Sequence, residues 1–248
     1  TPSRRINIMI YLILPAYNEE KNLLQIFKKI NNLKTSKEFT VILVDDCSSD
    51  MTKRFKKTKN KFKLIYFKNS YNRGLSITLE NGFKIAKKKS KKNDYIITMD
   101  SDNTHPINII PKMIRLMKKN NSDIVIASRF IYGSEVNGLN IFRKVLSSSA
   151  KLIFSILFPH QNLREYTCNF RIYRPYLISE LINKKSFFKN EDFNIAVKIL
   201  LFLINKFQNL KISEYPLILN YHHKIGESKM KIYRNIFLTL RLIFKKKT

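Results

Sequence analysis

Apolar residues along this chain form short β-rich runs that alternate with longer stretches of helical period. The short runs are rich in Ile, Val, Leu, Tyr and Phe, and they predict buried strands. They are Ile6–Leu14, Phe39–Asp46, Phe62–Phe67, Tyr95–Asp100 and Asp123–Ser128. Apolar side chains recur every three to four residues in Glu19–Leu33, Gly74–Lys89 and Ile107–Asn120, which predicts helices there. Strands alternating with helices indicate an α/β fold with a parallel, doubly wound sheet and right-handed crossovers.

Acidic side chains follow three of the predicted strands. Glu19 comes shortly after the first, Asp45 and Asp46 close the second, and Asp100 and Asp102 follow the fourth. Ligands of such sheets bind outside the carboxyl ends of the strands, so these acids are expected to converge. Two carboxylates one residue apart can hold Mg²⁺ or Mn²⁺, which then carries substrate phosphates. Turn and helix-cap roles are the alternative for such a pair.

Composition and charge indicate which classes of molecule this chain could bind. The chain has 248 residues, of which 44% are hydrophobic, enough for one large globular domain or a domain with an added lobe. It carries 47 Lys and Arg against 18 Asp and Glu, a formal charge of +29. The electrostatic field of this positive charge attracts nucleic acids, anionic lipid headgroups or phosphorylated substrates. Lysines that merely solvate helix faces are the other explanation.

Two features bear on the compartment. Cys47 and Cys168 are the only cysteines, which argues against a disulfide framework and for a reducing, cytoplasmic location. No apolar run reaches 18 residues; the longest, Leu152–Phe158 and Ile195–Ile204, are too short to cross a bilayer.

Seven motifs, in order along nearly the whole chain, resemble the pattern of family 2 glycosyltransferases. They are Leu14–Leu23, Val41–Thr52, Asn72–Ala86, Met99–Pro106, Ala127–Phe130, Glu165–Pro175 and Glu214–Met230. The last two resemble most the branch that mannosylates dolichyl or polyprenyl phosphate. The resemblance implies a Rossmann-like nucleotide-diphospho-sugar transferase fold of GT-A type, with a mixed, mostly parallel sheet flanked by helices.

The resemblance also implies roles for individual residues. It implies that the sugar nucleotide is bound by Pro15, Tyr17, Glu19, Val44, Asp46, Asp100 and Ser101. It implies that Mg²⁺ or Mn²⁺ is bound by Asp100, Asp102 and Thr104, and relatives often have Gln or Ser at the position of Thr104. Asp102 and Arg129 are implied in catalysis, Arg129 as a basic group near the diphosphate. Arg143, Ser228 and Lys229 are implied around donor or acceptor phosphate.

This chain departs from the family pattern in two places. The family's D-x-T-S-G-F-R appears as Glu165 to Arg171 with three changes, so the acceptor or sugar pocket is expected to differ. His223 replaces an arginine that usually lies three residues before the glycine of G-x-S-K. A histidine there predicts weaker or pH-dependent phosphate binding. The simpler interpretation of His222 and His223 is that they are polar residues ending a strand.

Glu191 and Asp192 resemble the acidic pair with which many family 2 enzymes deprotonate an acceptor hydroxyl. An acid that opens a helix is also expected for dipole reasons alone. A phosphate acceptor has a second pKa of roughly 6 and is already an adequate nucleophile at neutral pH, so no strong base is required.

These inferences predict an inverting transfer of a hexose from a GDP- or UDP-sugar to polyprenyl or dolichyl phosphate at an anionic membrane surface. The catalytic domain is predicted over residues 1–229. Residues 230–248 are predicted as a basic amphipathic helix that lies on the membrane or packs on the body or on another subunit. Arg143–Phe158 is a second apolar helix that borders the acceptor or packs on the body. Alternative functions are transfer to a saccharide hydroxyl, an inactive relative and a basic nucleic-acid-binding protein, although no nucleic-acid-binding signature is found.

Overall fold

The computed structural model describes residues 8–161, 163–184, 186–189 and 194–225, without the side chains of 142–144. The strands are β1 (Ile10–Ala16), β2 (Phe39–Asp45), β3 (Lys63–Lys68), β4 (Tyr95–Thr98), β5 (Ile124–Ser128), β6 (Glu135–Asn137), β7 (Arg171–Tyr173), β8 (Ile212–Pro216) and β9 (Ile218–Asn220). The α-helices are α1 (Glu20–Asn31), α2 (Gly74–Lys89), α3 (Ile110–Lys119), α4 (Ile141–Leu157), α5 (Pro175–Asn183) and α6 (Ile195–Lys206). Short 3₁₀ segments occupy Ser36–Glu38, Met51–Lys57, Ile107–Ile109 and Tyr221–His223.

The central sheet has seven strands in the order β3-β2-β1-β4-β7-β5-β8. All neighbouring strands are parallel except β7, which runs antiparallel to both β4 and β5. Because β7 is reversed, the chain entering it lies at the edge where the parallel strands end. A second, two-stranded sheet pairs β6 with β9.

Helices cover both faces of the sheet because the strands are apolar on both sides. Leu12 and Leu14 of β1 face the layer that contains α1 and α3, while Tyr11 and Ile13 face α2, α5 and α6. The strand and helix patterns of the sequence are therefore confirmed, with element ends shifted by a few residues. The predicted burial was wrong for β3, which contains no buried residue because it is an edge strand of the sheet. β7 was not predicted, since three residues are too few to show a strand pattern.

Helix α4 is amphipathic with its apolar side only partly covered. Phe154 and, directly after the helix, Phe158 are buried, and Phe154 stacks on Tyr166 at 5.7 Å between ring centroids. Leu152 and Ile156, on another face of the same helix, are 61% and 68% exposed. Among the described residues, no helix is both long and apolar enough to span a membrane.

Candidate active site at the carboxyl edge of the sheet

The loop after β4 contains the two carboxylates of the D-x-D sequence. Its backbone turns sharply at Asn103, which has a left-handed φ of 62°. Asparagine tolerates this conformation better than most residues because its short side chain can form local hydrogen bonds. Thr104 Oγ1 donates to Asp102 Oδ1 at 2.7 Å and fixes the direction of that carboxylate.

Asp100 is half-buried at this edge of the sheet. Its Oδ1 accepts a hydrogen bond from Asn169 Nδ2 at 3.1 Å. Burial, together with the negative charge of Asp102, raises the pKa of Asp100, although His105 opposes this shift. The charges of His105 and Lys224 offset this shift only in part, and a bound cation would add positive charge beside the carboxylate.

Asp102 differs from Asp100 because it has a cationic partner. Lys224 Nζ lies 2.9 Å from Asp102 Oδ2. Burial by itself would raise the pKa of Asp102, but the electrostatic effects of His105 and Lys224 outweigh it and the pKa is lowered. Asp102 is therefore ionised across the physiological pH range.

The groups around these carboxylates fit a hard divalent cation. Ser101 Oγ and Asn169 Oδ1 are buried oxygens that have no hydrogen-bond partner among the described residues. Within the part of the chain that the structure describes, no cluster of three or more His, Cys, Asp or Glu residues could hold a metal by itself. Mg²⁺ is commonly held by only one or two carboxylates, with substrate phosphates and water completing its shell. Asp100 and Asp102 meet that requirement, and the third predicted ligand, Thr104, already bonds to Asp102.

The residues implied for the sugar nucleotide lie on two loops next to this one. Strand β1 lies between β2 and β4, so Tyr17 and Glu19 after β1 and Asp46 after β2 share the edge with Asp100. Pro15 and Val44 are buried register partners on β1 and β2. The two loops are joined by hydrogen bonds, including Asn18 N–H to Ser48 Oγ at 2.9 Å. The structure thus brings these predicted residues to one edge.

Asp46 also has a structural role that the sequence did not indicate. Its Oδ1 accepts from Asn69 Nδ2 at 2.7 Å and from the Arg73 N–H at 2.9 Å, and its Oδ2 accepts from the Gly74 N–H at 2.8 Å. Gly74 has a φ of 80°, which favours glycine. Asp46 thereby caps the N-terminus of α2, and its contact with a nucleotide stays a prediction.

Arg129, predicted near the diphosphate, is paired with Glu165. Arg129 Nε donates to Glu165 Oε2 at 2.7 Å, and Arg129 Nη2 donates to Glu165 Oε1 at 2.9 Å and to Thr167 Oγ1 at 2.6 Å. Burial alone would raise the pKa of Glu165, but Arg129 and two backbone N–H groups lower it to about 2. The pair is neutral overall, so Arg129 adds less net positive charge than the sequence suggested.

Several predicted residues lie outside the described residues: Glu191, Asp192, Ser228 and Lys229. Arg143 lies in the first turn of α4, and its side chain is not described. The helix predicted over residues 230–248 also lies outside the described residues. His222 and His223 form a 3₁₀ segment after β9 and are exposed, as polar residues ending a strand should be.

Four polar residues complete the site and were missed from the sequence. Asn22 lies on α1, Asn69 bonds to Asp46, Asn169 bonds to Asp100 and Lys224 bonds to Asp102. Asn169 had one detectable signal, since it replaces the glycine of the family's D-x-T-S-G-F-R. It is one of the changes predicted to alter the pocket, and it contacts a predicted metal ligand directly.

The fold and the placement of the acidic loops define a nucleotide-sugar transferase architecture of GT-A type. Glucosyl-3-phosphoglycerate synthase from Mycobacterium tuberculosis, solved with Mn²⁺, UDP and glucosyl-3-phosphoglycerate, superposes with a TM-score of 0.67 over 95% of this chain and 80% of that one, at 15% identity. S. aureus TarS in complex with UDP-GlcNAc superposes with a TM-score of 0.62 over 95% of this chain and 65% of that one, at 19% identity. At these identities the likeness concerns the fold alone.

The chain belongs to glycosyl transferase family 2, whose model matches residues 11–182. It is 30% identical over 239 residues to a dolichol-phosphate mannosyltransferase from Pyrococcus furiosus, covering 95% of this chain and 63% of that protein. It is also 30% identical over 151 residues to a UDP-N-acetylglucosamine–dolichyl-phosphate N-acetylglucosaminyltransferase from Methanococcus voltae, covering 55% of this chain and 58% of that one. The chain therefore spans about three fifths of the length of these two relatives.

Proposed function

We propose that this glycosyltransferase transfers a hexose from a GDP- or UDP-sugar to a polyprenyl or dolichyl phosphate, with inversion at the anomeric carbon and with Mg²⁺ or Mn²⁺ bound by Asp100 and Asp102. The names of the two archaeal relatives support a lipid phosphate as acceptor. The complexes of the two structural neighbours support a nucleotide sugar as donor, one of them with Mn²⁺.

One observation carries the proposal. Lys224 bonds to Asp102, so the chain immediately before Gly226–Lys229 lies against the D-x-D loop. Gly226–Lys229 is the G-x-S-K motif that the resemblance assigns to phosphate. A donor diphosphate at Asp100 and Asp102 would therefore lie beside the segment that leads into this motif. A phosphate acceptor matches that arrangement better than a neutral saccharide does.

The side chains have separable tasks in the proposed reaction. Asn169 orients Asp100 and Thr104 orients Asp102, so both carboxylates are held in place before substrates arrive. A divalent cation bound there would neutralise charge on the departing nucleotide diphosphate. The acceptor phosphate, with its second pKa of roughly 6, is mostly dianionic at neutral pH and needs no strong base. The chain's contribution is chiefly positioning and electrostatic stabilisation.

The most direct test is sugar transfer to a short-chain polyprenyl phosphate. Purified full chain would be incubated with labelled GDP-mannose or UDP-glucose and with Mn²⁺, Mg²⁺ or EDTA. We expect labelled, lipid-extractable product with one donor and a divalent cation, and none with EDTA. Transfer to a saccharide and not to the lipid phosphate would favour the alternative acceptor, in which Glu191 and Asp192 become essential. No transfer from any donor would contradict the proposal.

A membrane surface is the proposed setting because the acceptor is a lipid. Helix α4 supplies a described feature for this contact: Ile141, Val145, Leu152 and Ile156 are exposed at helical spacing. The formal charge of +29 would add attraction to anionic headgroups. The predicted basic helix over residues 230–248 would act together with α4.

Leu152→Glu is expected to weaken binding to vesicles that contain phosphatidylglycerol by about tenfold, because an exposed apolar side chain is replaced by a charge of the wrong sign. Co-sedimentation with the vesicles measures the effect. The matched control is Leu24→Glu, since Leu24 is 45% exposed on α1, in the helix layer on the other face of the sheet. Equal loss in the two variants would remove α4 from the proposed membrane contact.

A further inference from the structure

The segment Asn220–Ile225, here called the strap, crosses the D-x-D loop. The Asn220 N–H donates to the Thr104 carbonyl at 3.2 Å. Asn103 Nδ2 donates to the His223 carbonyl at 3.1 Å, and Lys224 bonds to Asp102. The strap thus contacts three consecutive residues of the loop that contains the proposed metal ligands.

The strap is also held from helix α1. Asn22 Nδ2 donates to the Ile225 carbonyl at 3.0 Å, and the Ile225 N–H donates to Asn22 Oδ1 at 3.1 Å. The side-chain amide of Asn22 thus bonds to both backbone groups of Ile225, as a neighbouring strand would in a sheet. Asn22 itself is buried. The end of the strap is therefore fixed by polar bonds to two different elements, and the Lys224–Asp102 contact is the one that carries charge.

Both oxygens of the Asp102 carboxylate are engaged in this arrangement. Oδ1 accepts from Thr104 and Oδ2 accepts from Lys224 Nζ. The side chains of Lys224 and Asp102 are only 17% and 19% exposed, so water screens their attraction less than it would on the surface. A divalent cation that binds Asp102 needs one of these oxygens, and its positive charge would repel the ammonium group.

We propose that Lys224 is a positioning residue that competes with the divalent cation for Asp102 and ties the strap to the D-x-D loop when the cation is absent. The inference rests on the proposed metal site. Cation binding displaces the lysine and loosens the strap, because the remaining bonds to Asn22 and Asn103 then open more easily. Donor-site occupancy is thereby coupled to the chain segment that leads into Gly226–Lys229.

The first test is Mn²⁺ binding without any sugar nucleotide, measured from the electron paramagnetic resonance signal of free Mn²⁺. Lys224→Met removes the charge and keeps an unbranched side chain that is one atom shorter. We expect this variant to bind Mn²⁺ between about threefold and tenfold more tightly than wild type. Lys29→Met is the matched control, because Lys29 Nζ bonds to Asn103 at 2.6 Å beside the same loop and has no ion pair with a carboxylate of the described residues. An equal effect in both variants would mean general charge repulsion and would overturn the inference.

The second test follows the strap directly in wild type. Trypsin cleavage after Lys224 would be quantified by mass spectrometry of the peptides, with cleavage after the exposed Lys211 as internal reference. We expect Mn²⁺ to increase cleavage after Lys224 several-fold relative to cleavage after Lys211, and we expect EDTA to reverse the change. Unchanged or lower cleavage with Mn²⁺ would contradict displacement of Lys224.

The outcomes separate this inference from the proposed function. Mn²⁺ binding of equal strength in wild type, Lys224→Met and Lys29→Met would overturn the role of Lys224 and leave the metal site intact. Absence of Mn²⁺ binding in every variant, even with UDP or GDP added, would overturn the metal site and the role of Lys224 together.

Discussion

Replacing Asp102 with asparagine is expected to lower the rate of sugar transfer by at least about a hundredfold. Asparagine keeps the size of the side chain but lacks the charge proposed to hold a divalent cation and the diphosphate bound to it. Asp102 is the proposed ligand whose pKa is lowered, so it is the carboxylate that is ionised without a bound metal. The measurement is the initial rate of lipid-linked product formation at saturating donor, across a series of Mn²⁺ concentrations.

Two controls keep this result interpretable. Glu38→Gln removes one negative charge from an exposed 3₁₀ segment just before β2, at the opposite edge of the sheet, and is expected to leave the rate unchanged. A thermal unfolding midpoint near that of wild type for Asp102→Asn shows that the fold is intact. A folded Asp102→Asn enzyme with near-normal rate at low Mn²⁺ would contradict the assignment of Asp102 as a metal ligand.

The sequence predicted the loops of this site better than it predicted the contacts between them. Three acidic strand ends converge because β2, β1 and β4 are parallel neighbours, and that arrangement follows from alternating strand and helix patterns. Asp46, Asp100 and Asp102 could be placed at one edge by this argument. The local strand patterns showed that each acid follows a strand, and the geometry of a parallel sheet then predicted that these strand ends lie together.

Contacts between distant segments had no such local signal. Lys224 and Asp102 are 122 residues apart, and Asn22 and Ile225 are 203 residues apart. A lysine among 47 Lys and Arg residues gives no indication that it has a buried partner. The strap could therefore be found only from the folded chain.

The reversed strand β7 explains a further part of the site. Because β7 is antiparallel, Glu165 and Asn169, which precede it, arrive at the same edge as the ends of β4 and β5. Glu165 can then bond to Arg129 after β5, and Asn169 to Asp100 after β4. The sequence marked both residues as departures from a family motif, but the three-residue strand that directs them gave no pattern of its own.

The exchange Glu165→Gln is expected to destabilise the fold by about 3 to 5 kcal/mol, because it leaves the largely buried side chain of Arg129, which is 14% exposed, without a counter-charge. Glu165 is fully buried and accepts from Arg129 through both oxygens. It also accepts from the N–H groups of Thr167 and Cys168 at 2.9 and 3.0 Å. Urea unfolding followed by far-UV circular dichroism measures the change; with no tryptophan in the chain, tyrosine emission is the second signal.

The dependence of this effect on pH has a definite sign. The pKa of Glu165 falls from an ordinary 4.5 to about 2 in the folded chain, so the folded state binds the proton less readily than the unfolded state. The stabilisation is fully present above pH 4.5 and is lost as pH falls toward 2. This stabilisation amounts to about 3 kcal/mol, because a change of one in a pKa corresponds to about 1.36 kcal/mol. Below pH 4.5 the stability of wild type should fall more steeply than that of Glu165→Gln.

Glu214 provides the matched control because its pKa shifts in the opposite direction. Glu214 Oε1 accepts from the N–H groups of Arg164 and Glu165, and burial raises the pKa of its carboxyl. Its ionised form therefore costs stability at neutral pH, and Glu214→Gln should be neutral or mildly stabilising there. If Glu165→Gln instead followed the pH profile of wild type, the Arg129–Glu165 pair would not be the source of the acid sensitivity.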